Sequence, residues 1–104
     1  MNTLERLEAT IAQRRGSPPD ESYVASLYSR GLPVIARKVG EEGVEAAVAA
    51  LSGTNEELVG EAADLIFHLL VMLGAKDIAL ADVLAELDRR EGTSGLEEKA
   101  SRSA

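Results

Sequence analysis

Lys38-Val39-Gly40-Glu41-Glu42-Gly43-Val44-Glu45 opens the stretch that decides the fold, and Glu61-Ala62-Ala63-Asp64-Leu65-Ile66-Phe67-His68 closes it. Each half carries a carboxylate pair spaced i, i+3: Glu42 with Glu45, and Glu61 with Asp64. On a helix that spacing puts both members of a pair on one face. Between the halves, Ala46-Ala47-Val48-Ala49-Ala50-Leu51 closes one helix and Ser52-Gly53-Thr54 breaks it. Thr54, with Glu57 three residues on, has the form of a capping box that opens the next helix. So short a connection predicts an antiparallel helical hairpin. Glu45 and Glu42 precede Leu51 by six and nine residues, and Glu61 and Asp64 follow Asn55 by the same steps. The fold-back sets Glu45 level with Glu61 and Glu42 level with Asp64, roughly 9 to 14 Å from the bend at helical rise. The intervening alanines let the two backbones approach closely.

Four carboxylates converging on apolar helices repel one another unless a cation cancels the charge. A hard divalent ion with oxygen ligands does so, and Mg²⁺ is the usual occupant. One such pair alone would be a solvated helix face. Two facing pairs beside long apolar runs favour the metal.

The 104 residues allow one domain with a modest core. Apolar residues make up 45% of the chain but include only two Tyr and one Phe as aromatics, so the core must be Leu, Val, Ile and Ala, which suits helices. The absence of cysteine excludes a disulfide framework and a thiolate zinc site. Met1-Asn2-Thr3-Leu4-Glu5-Arg6 has no apolar region of signal-peptide form, and the run Leu65–Ala75, interrupted by His68, is too short to span a bilayer. A cytoplasmic protein with no membrane partner is expected. Eighteen acidic against eleven basic residues, a net charge of −7, argue against nucleic acid as a partner. A small phosphorylated ligand stays compatible, because bound metal inverts the local field.

Along the chain, Thr3 can cap a first helix carrying Leu4, Leu7, Glu8 and Ile11 that breaks near Arg15-Gly16. Ser17-Pro18-Pro19-Asp20 is a turn, and Asp20 or Ser22 can cap a short second helix with Tyr23, Leu27 and Tyr28 that ends at Arg30. Gly31 fits its C-terminal cap, and Pro33 fits the first turn of the third helix. Gly40 and Gly43 lie inside that helix, where Gly40 clears space for a ligand or for a tight helix crossing. The fourth helix runs from about Asn55 to Gly74 or Lys76, and from Ala62 to Leu73 only Asp64 and His68 are polar. A fifth, from about Asp82 to Arg90, turns Val83, Leu84 and Leu87 inward and ends at Gly92. Residues 1–91 thus form the domain, and 92–104 a polar tail expected to be mobile or to pack on a partner. The fold class is all-α, with about five helices. Helices this short cannot cover a fourth helix that is apolar almost all round, so a second copy is expected to complete the bundle as a homodimer.

Carboxylate-held metal suits phosphoryl chemistry. With no Walker-type loop and no Ser/His/Asp set, the attacking group would be water, and Glu41 is its candidate base or an extra ligand. Lys38, on the stripe of Glu42 and Glu45, either contacts a phosphate or pairs with Glu42. Arg37 and Arg30, with Arg14 and Arg15, are weaker phosphate candidates. His68 is either a satisfied core residue or, through its neighbour Asp64, a support or substrate contact.

These residues resemble the phosphoribosyl-ATP pyrophosphohydrolase family of histidine biosynthesis, within the all-α NTP pyrophosphatase superfamily, whose signature is E-x-x-E, a gap, then E-x-x-D. The likeness rests on Lys38-Val39-Gly40-Glu41-Glu42, Glu45, Glu61-Ala62-Ala63-Asp64-Leu65 and His68-Leu69-Leu70. It extends to Ser22-Tyr23-Val24-Ala25-Ser26-Leu27, Asp82-Val83-Leu84-Ala85-Glu86-Leu87 and Arg90-Glu91-Gly92-Thr93-Ser94-Gly95. Leu32-Pro33-Val34 and Gly43 depart from the family's usual residues. The resemblance implies Mg²⁺-dependent cleavage of phosphoribosyl-ATP to phosphoribosyl-AMP and pyrophosphate. It implies Glu42, Glu45, Glu61 and Asp64 as metal ligands, Glu41 as a further ligand or base, and a homodimer. A house-cleaning (d)NTP pyrophosphatase would use the same carboxylates. A non-catalytic helical dimerisation module would account for the apolar fourth helix but not for facing acidic pairs.

Overall fold

The computed structural model describes residues 1–91 and 95–103, the side chains of residues 98 and 103 excepted. Its described residues form an all-α chain of six helices: α1 (Thr3–Arg14), α2 (Tyr23–Arg30), α3 (Leu32–Ser52), α4 (Asn55–Ala75), α5 (Leu80–Glu91) and α6 (Gly95–Ser103). The expected all-α class with about five helices holds, and α6 (Gly95–Ser103) adds a helix within the polar tail. Leu96, Glu97, Lys99, Ala100 and Arg102 are good helix formers, and no proline interrupts them. The expected stop of the fifth helix at Gly92 lies outside the described residues.

Local chemistry sets most boundaries. Asn2, not Thr3, caps α1: its Oδ1 accepts from the Glu5 N–H at 2.9 Å, while the Thr3 hydroxyl accepts from Arg6 at 3.1 Å. Of the two candidates for α2, Ser22 is the cap, accepting from the Ala25 N–H at 3.2 Å. A single residue, Gly31 at φ +95°, turns the chain from α2 into α3, a conformation that a side chain would strain. The capping box at the hairpin is present: the Glu57 N–H donates to the Thr54 hydroxyl at 3.1 Å, and the Thr54 N–H donates back to the Glu57 carboxylate. α3 and α4 then pack antiparallel along their lengths, the most extensive helix pairing in the chain.

α5 begins two residues earlier than its sequence suggests, because α1 supplies a cap. The Glu8 carboxylate accepts from the Leu80 N–H at 2.7 Å, across 72 positions. The preceding turn closes α4 with a Schellman pair: Ile78 N–H to Leu73 O at 2.9 Å and Asp77 N–H to Gly74 O at 3.0 Å. Asp77 takes the left-handed position at φ 57°, which a short polar side chain tolerates.

The core lies at one end of the hairpin. Ile11, Val24, Leu27, Ile35, Leu70, Val71 and Leu80 are buried together, drawn from the first five helices, with Leu4, Leu7, Tyr28 and Phe67 packed on them. The other end is bare: Val48 is 53% exposed, Val59 70% and Leu51 90%. α4 as a whole is long and apolar enough, by length and composition, to cross a membrane, and only 17% of that span is buried in the lone chain. The shorter run Leu65–Ala75 understated its apolar length. The core helix of a soluble protein can be equally long and apolar, and the carboxylates of Glu61 and Asp64 fall within this one.

The end of α4 is locked by packing. The Tyr28 hydroxyl donates to the Val71 carbonyl at 2.9 Å, and the Arg15 guanidinium lies 4.4 Å over the Tyr28 ring while donating to the Gly74 carbonyl at 2.9 Å. A Cβ on Gly74 would collide with the Tyr28 hydroxyl. Gly→Ala inside a helix ordinarily gains about 1 kcal/mol. Here Gly74→Ala is expected to lose stability in urea unfolding. With Tyr28→Phe the collision is gone, so the pair should be non-additive, with a coupling of about 1 kcal/mol or more. Additive effects would show that the hydroxyl is not the obstacle.

Candidate active site

The hairpin register brings three carboxylates together at the border between its buried and bare ends. Oxygens of Glu42 and Glu45 from α3 and Glu61 from α4 lie within 4.8 Å of one another. Oε2 of Glu42 and Oε2 of Glu61 are buried and have no hydrogen-bond partner. Asp64 stands outside this group with its side chain exposed, although its charge still reaches Glu42 and Glu61. The sequence therefore places four carboxylates on facing stripes, and the structure gathers three.

Their electrostatics follow from crowding. Burial pushes the Glu42 carboxyl above the usual carboxylate range, the Glu45 charge pushes it further, and His68 acts in the opposite direction. Glu61 is likewise raised, by burial first, then by the close approach and repulsion of the Glu45 carboxylate, then by Glu42 and Asp64. Each shift reports a site with too much negative charge for its surroundings. An all-oxygen donor set with unpartnered buried lone pairs fits a hard divalent cation.

A basic pair sits one turn before the cluster. Arg37 Nε is 3.4 Å and Lys38 Nζ 3.7 Å from the two carboxylate oxygens of Glu41. Lys38 thus pairs with Glu41 and not with Glu42, the partner its spacing suggested. Position i+3 lies as near as i+4 on a helix, and Glu42 is turned into the cluster. Glu41 is paired with these two cations and is not one of the three clustered acids. Beside it, Arg37, Gly40, Glu41, Val44 and Glu45 line a shallow open groove. A Cβ on Gly40 would meet nothing within 4 Å, so no tight helix crossing among the described residues explains that glycine. Arg30 is exposed in the last turn of α2 and makes no recorded contact with the carboxylates among the described residues.

His68 is 5% exposed and has partners on both nitrogens. Its Nδ1 lies 2.7 Å from the Asp64 backbone carbonyl, and its Nε2 lies 2.8 Å from the Tyr23 hydroxyl. A carbonyl only accepts, so Nδ1 carries the proton; in the neutral ring Nε2 then accepts from the Tyr23 O–H. Tyr23 is the residue that sequence reasoning missed at this site. Periodicity places it on α2 without showing that α2 lies across α4; its only signal is its place in the Ser22–Leu27 block.

The family model for phosphoribosyl-ATP pyrophosphohydrolase matches residues 4–91. A phosphoribosyl-ATP pyrophosphatase of Erythrobacter litoralis is 68% identical over 102 residues, covering 98% of each chain. One of Novosphingobium aromaticivorans is 68% identical over 100 residues, covering 96% of this chain and 94% of the relative. One of Rhizorhabdus wittichii is 59% identical over 100 residues, with the same coverage. A match that spans the core, the hairpin and the whole acidic cluster places the chain in the phosphoribosyl-ATP pyrophosphohydrolase family.

Proposed function

We propose that this protein hydrolyses phosphoribosyl-ATP between its α and β phosphates, giving phosphoribosyl-AMP and pyrophosphate in histidine biosynthesis, as a Mg²⁺-dependent cytoplasmic homodimer. The observation that carries the chemistry is the cluster of three carboxylates, two of them with buried unpartnered oxygens, beside a basic pair. Glu42, Glu45 and Glu61, with Asp64 beside them, would hold the ion. When bound there, Mg²⁺ supplies neutralisation of phosphate oxygens and Lewis-acid polarisation of phosphorus.

The chain's own groups do the rest. Lys38 and Arg37 exchange their exposed bonds to Glu41 for charge-assisted bonds to phosphate, which cost little to make because the existing pairs are weak. Glu41, freed of its cations, takes the proton of the attacking water, whose oxygen bonds to phosphorus as pyrophosphate leaves. His68 holds its ring against the backbone of Asp64. Arg30, exposed in the last turn of α2, is an outlying contact for the far end of the substrate. A (d)NTP pyrophosphatase of the same superfamily is separated by substrate: purified protein should release pyrophosphate from phosphoribosyl-ATP, and not comparably from dCTP or dUTP, only with Mg²⁺ present.

Surface area supports the dimer. The chain exposes 7112 Å², about 1,500 Å² more than the roughly 5,600 Å² of a folded monomer of this mass. Its radius of gyration is 15.8 Å, against about 13 Å for a compact chain of this length. A second copy on the bare faces of α3 and α4 would remove that excess, which is of the size an obligate homodimer buries. Sedimentation should show a dimer; a stable folded monomer at low micromolar concentration would overturn this.

Lys38→Ala should lower turnover well beyond its effect on folding, since the surface pair it breaks is worth about 0.2–0.5 kcal/mol. A variant that melts much lower yet turns over normally would remove Lys38 from phosphate binding.

The raised carboxyls of Glu42 and Glu61 carry a stability consequence. The folded protein holds more protons than the unfolded chain, so metal-free stability falls as pH rises from the unfolded pKa through the raised one, and the cost is absent in acid. Mg²⁺ at a hundredfold excess over its dissociation constant should restore about 2.7 kcal/mol per site at neutral pH, and progressively less as protons compete in acid. Glu61→Gln or Glu45→Gln should cost orders of magnitude in turnover, while the metal-free variant melts at the same temperature or higher. Loss of metal-free stability with retained activity would make these glutamates structural.

A further inference from the structure

The chain has three aromatic side chains and no tryptophan. Two of them, Tyr28 and Phe67, pack against the core. The third, Tyr23, is 50% exposed and is nevertheless held in place. Its hydroxyl bonds to the buried His68 at 2.8 Å, and His68 is bonded in turn to the Asp64 carbonyl at 2.7 Å. Its ring stacks on Phe67, with centroids 6.1 Å apart and planes at 21°, and meets the His68 ring edge-on at 5.7 Å. Phe67 lies near-parallel beside Tyr23, and half of the Tyr23 residue remains exposed to solvent. A half-exposed aromatic ring on α2 is thus tied by hydrogen bonds, through His68, to the helix that carries Glu61 and Asp64.

We propose that the half-exposed ring of Tyr23 is the platform on which the purine base of the substrate stacks, with the bond to His68 holding the ring in place. This rests on the reading of the site as one for a purine nucleoside polyphosphate. A nucleotide presents its base and its phosphates at opposite ends of a sugar. Its receptor therefore needs a flat apolar surface set apart from, but fixed relative to, the groups that take the charge. Base–aromatic stacking supplies that surface without hydrogen-bond readout. Tyr23 is the one ring in this chain free to do so. Because its hydroxyl is engaged by His68, it acts through its ring and not through its phenol. It is a specificity-determining contact rather than a part of the bond-breaking machinery.

The test separates ring from hydroxyl and base from phosphate. AMP and ribose 5-phosphate are titrated, with Mg²⁺, into full-length wild type, Tyr23→Phe and Tyr23→Leu, following the H2 and H8 protons of AMP by NMR. Wild type and Tyr23→Phe should move these protons upfield through the ring current. Tyr23→Leu should lose the shift and weaken AMP at least about fivefold, the lower end of what one stack contributes. Ribose 5-phosphate should bind all three alike, and KM for phosphoribosyl-ATP should rise in Tyr23→Leu more than kcat falls. No upfield shift in the wild type, AMP binding Tyr23→Leu as tightly as wild type, or ribose 5-phosphate weakening in step with AMP would each overturn the platform. If Tyr23→Leu fails to fold, NOEs from AMP H2 or H8 to the Tyr23 ring protons in the wild type decide the matter, and their absence overturns the platform. Absence of pyrophosphate release from phosphoribosyl-ATP by wild type would instead overturn the assigned reaction, while leaving the stacking measurement standing.

Discussion

Mutual repulsion among Glu42, Glu45 and Glu61, held within 4.8 Å of one another on two apolar helices, is the constraint on which the rest of this structure depends. Dispersed side chains in an unfolded chain would not feel it. The folded chain holds them together because α3 and α4 cannot drift apart: a capping box sets the start of α4, and small residues such as Ala49, buried in the hairpin, keep the backbones close. The stress shows as raised carboxyls and as two buried oxygens without partners. Buried polar atoms are ordinarily satisfied, so their lack of a partner points to a cation as the missing one. The crowded charge that strains the fold is what a hard cation would relieve.

The packing is arranged around that burden. The apolar core gathers at the end of the hairpin where α1, α2 and α5 meet α4, and the acidic cluster lies where this core gives out. Arg15, Tyr28 and Gly74 lock the far end of α4, so the helix is clamped at both ends while its middle faces the carboxylates of α3. His68 and Tyr23 extend the clamp sideways to α2. Several large apolar side chains remain uncovered: Val44, Val48, Leu51 and Val59 on the hairpin, and Leu84 and Leu87 on α5. An isolated chain with this surface is incomplete in the hydrophobic sense before any question of catalysis arises.

Much of this was legible in the sequence, because it depends on neighbours along the chain. Helical periodicity, Ser and Thr caps, the glycine between α2 and α3 and the short link at Gly53-Thr54 are local features, and they determined the all-α class, the hairpin and the facing of Glu45 and Glu61. Three things were decided only by tertiary structure, each because it joins residues far apart. The Glu8 carboxylate caps α5 across 72 positions. Tyr23 reaches His68 across 45 positions, which puts α2 at the site. Asp64 stands outside the cluster that its spacing shares with Glu61, because helical phase fixes which face a residue occupies but not how its side chain turns.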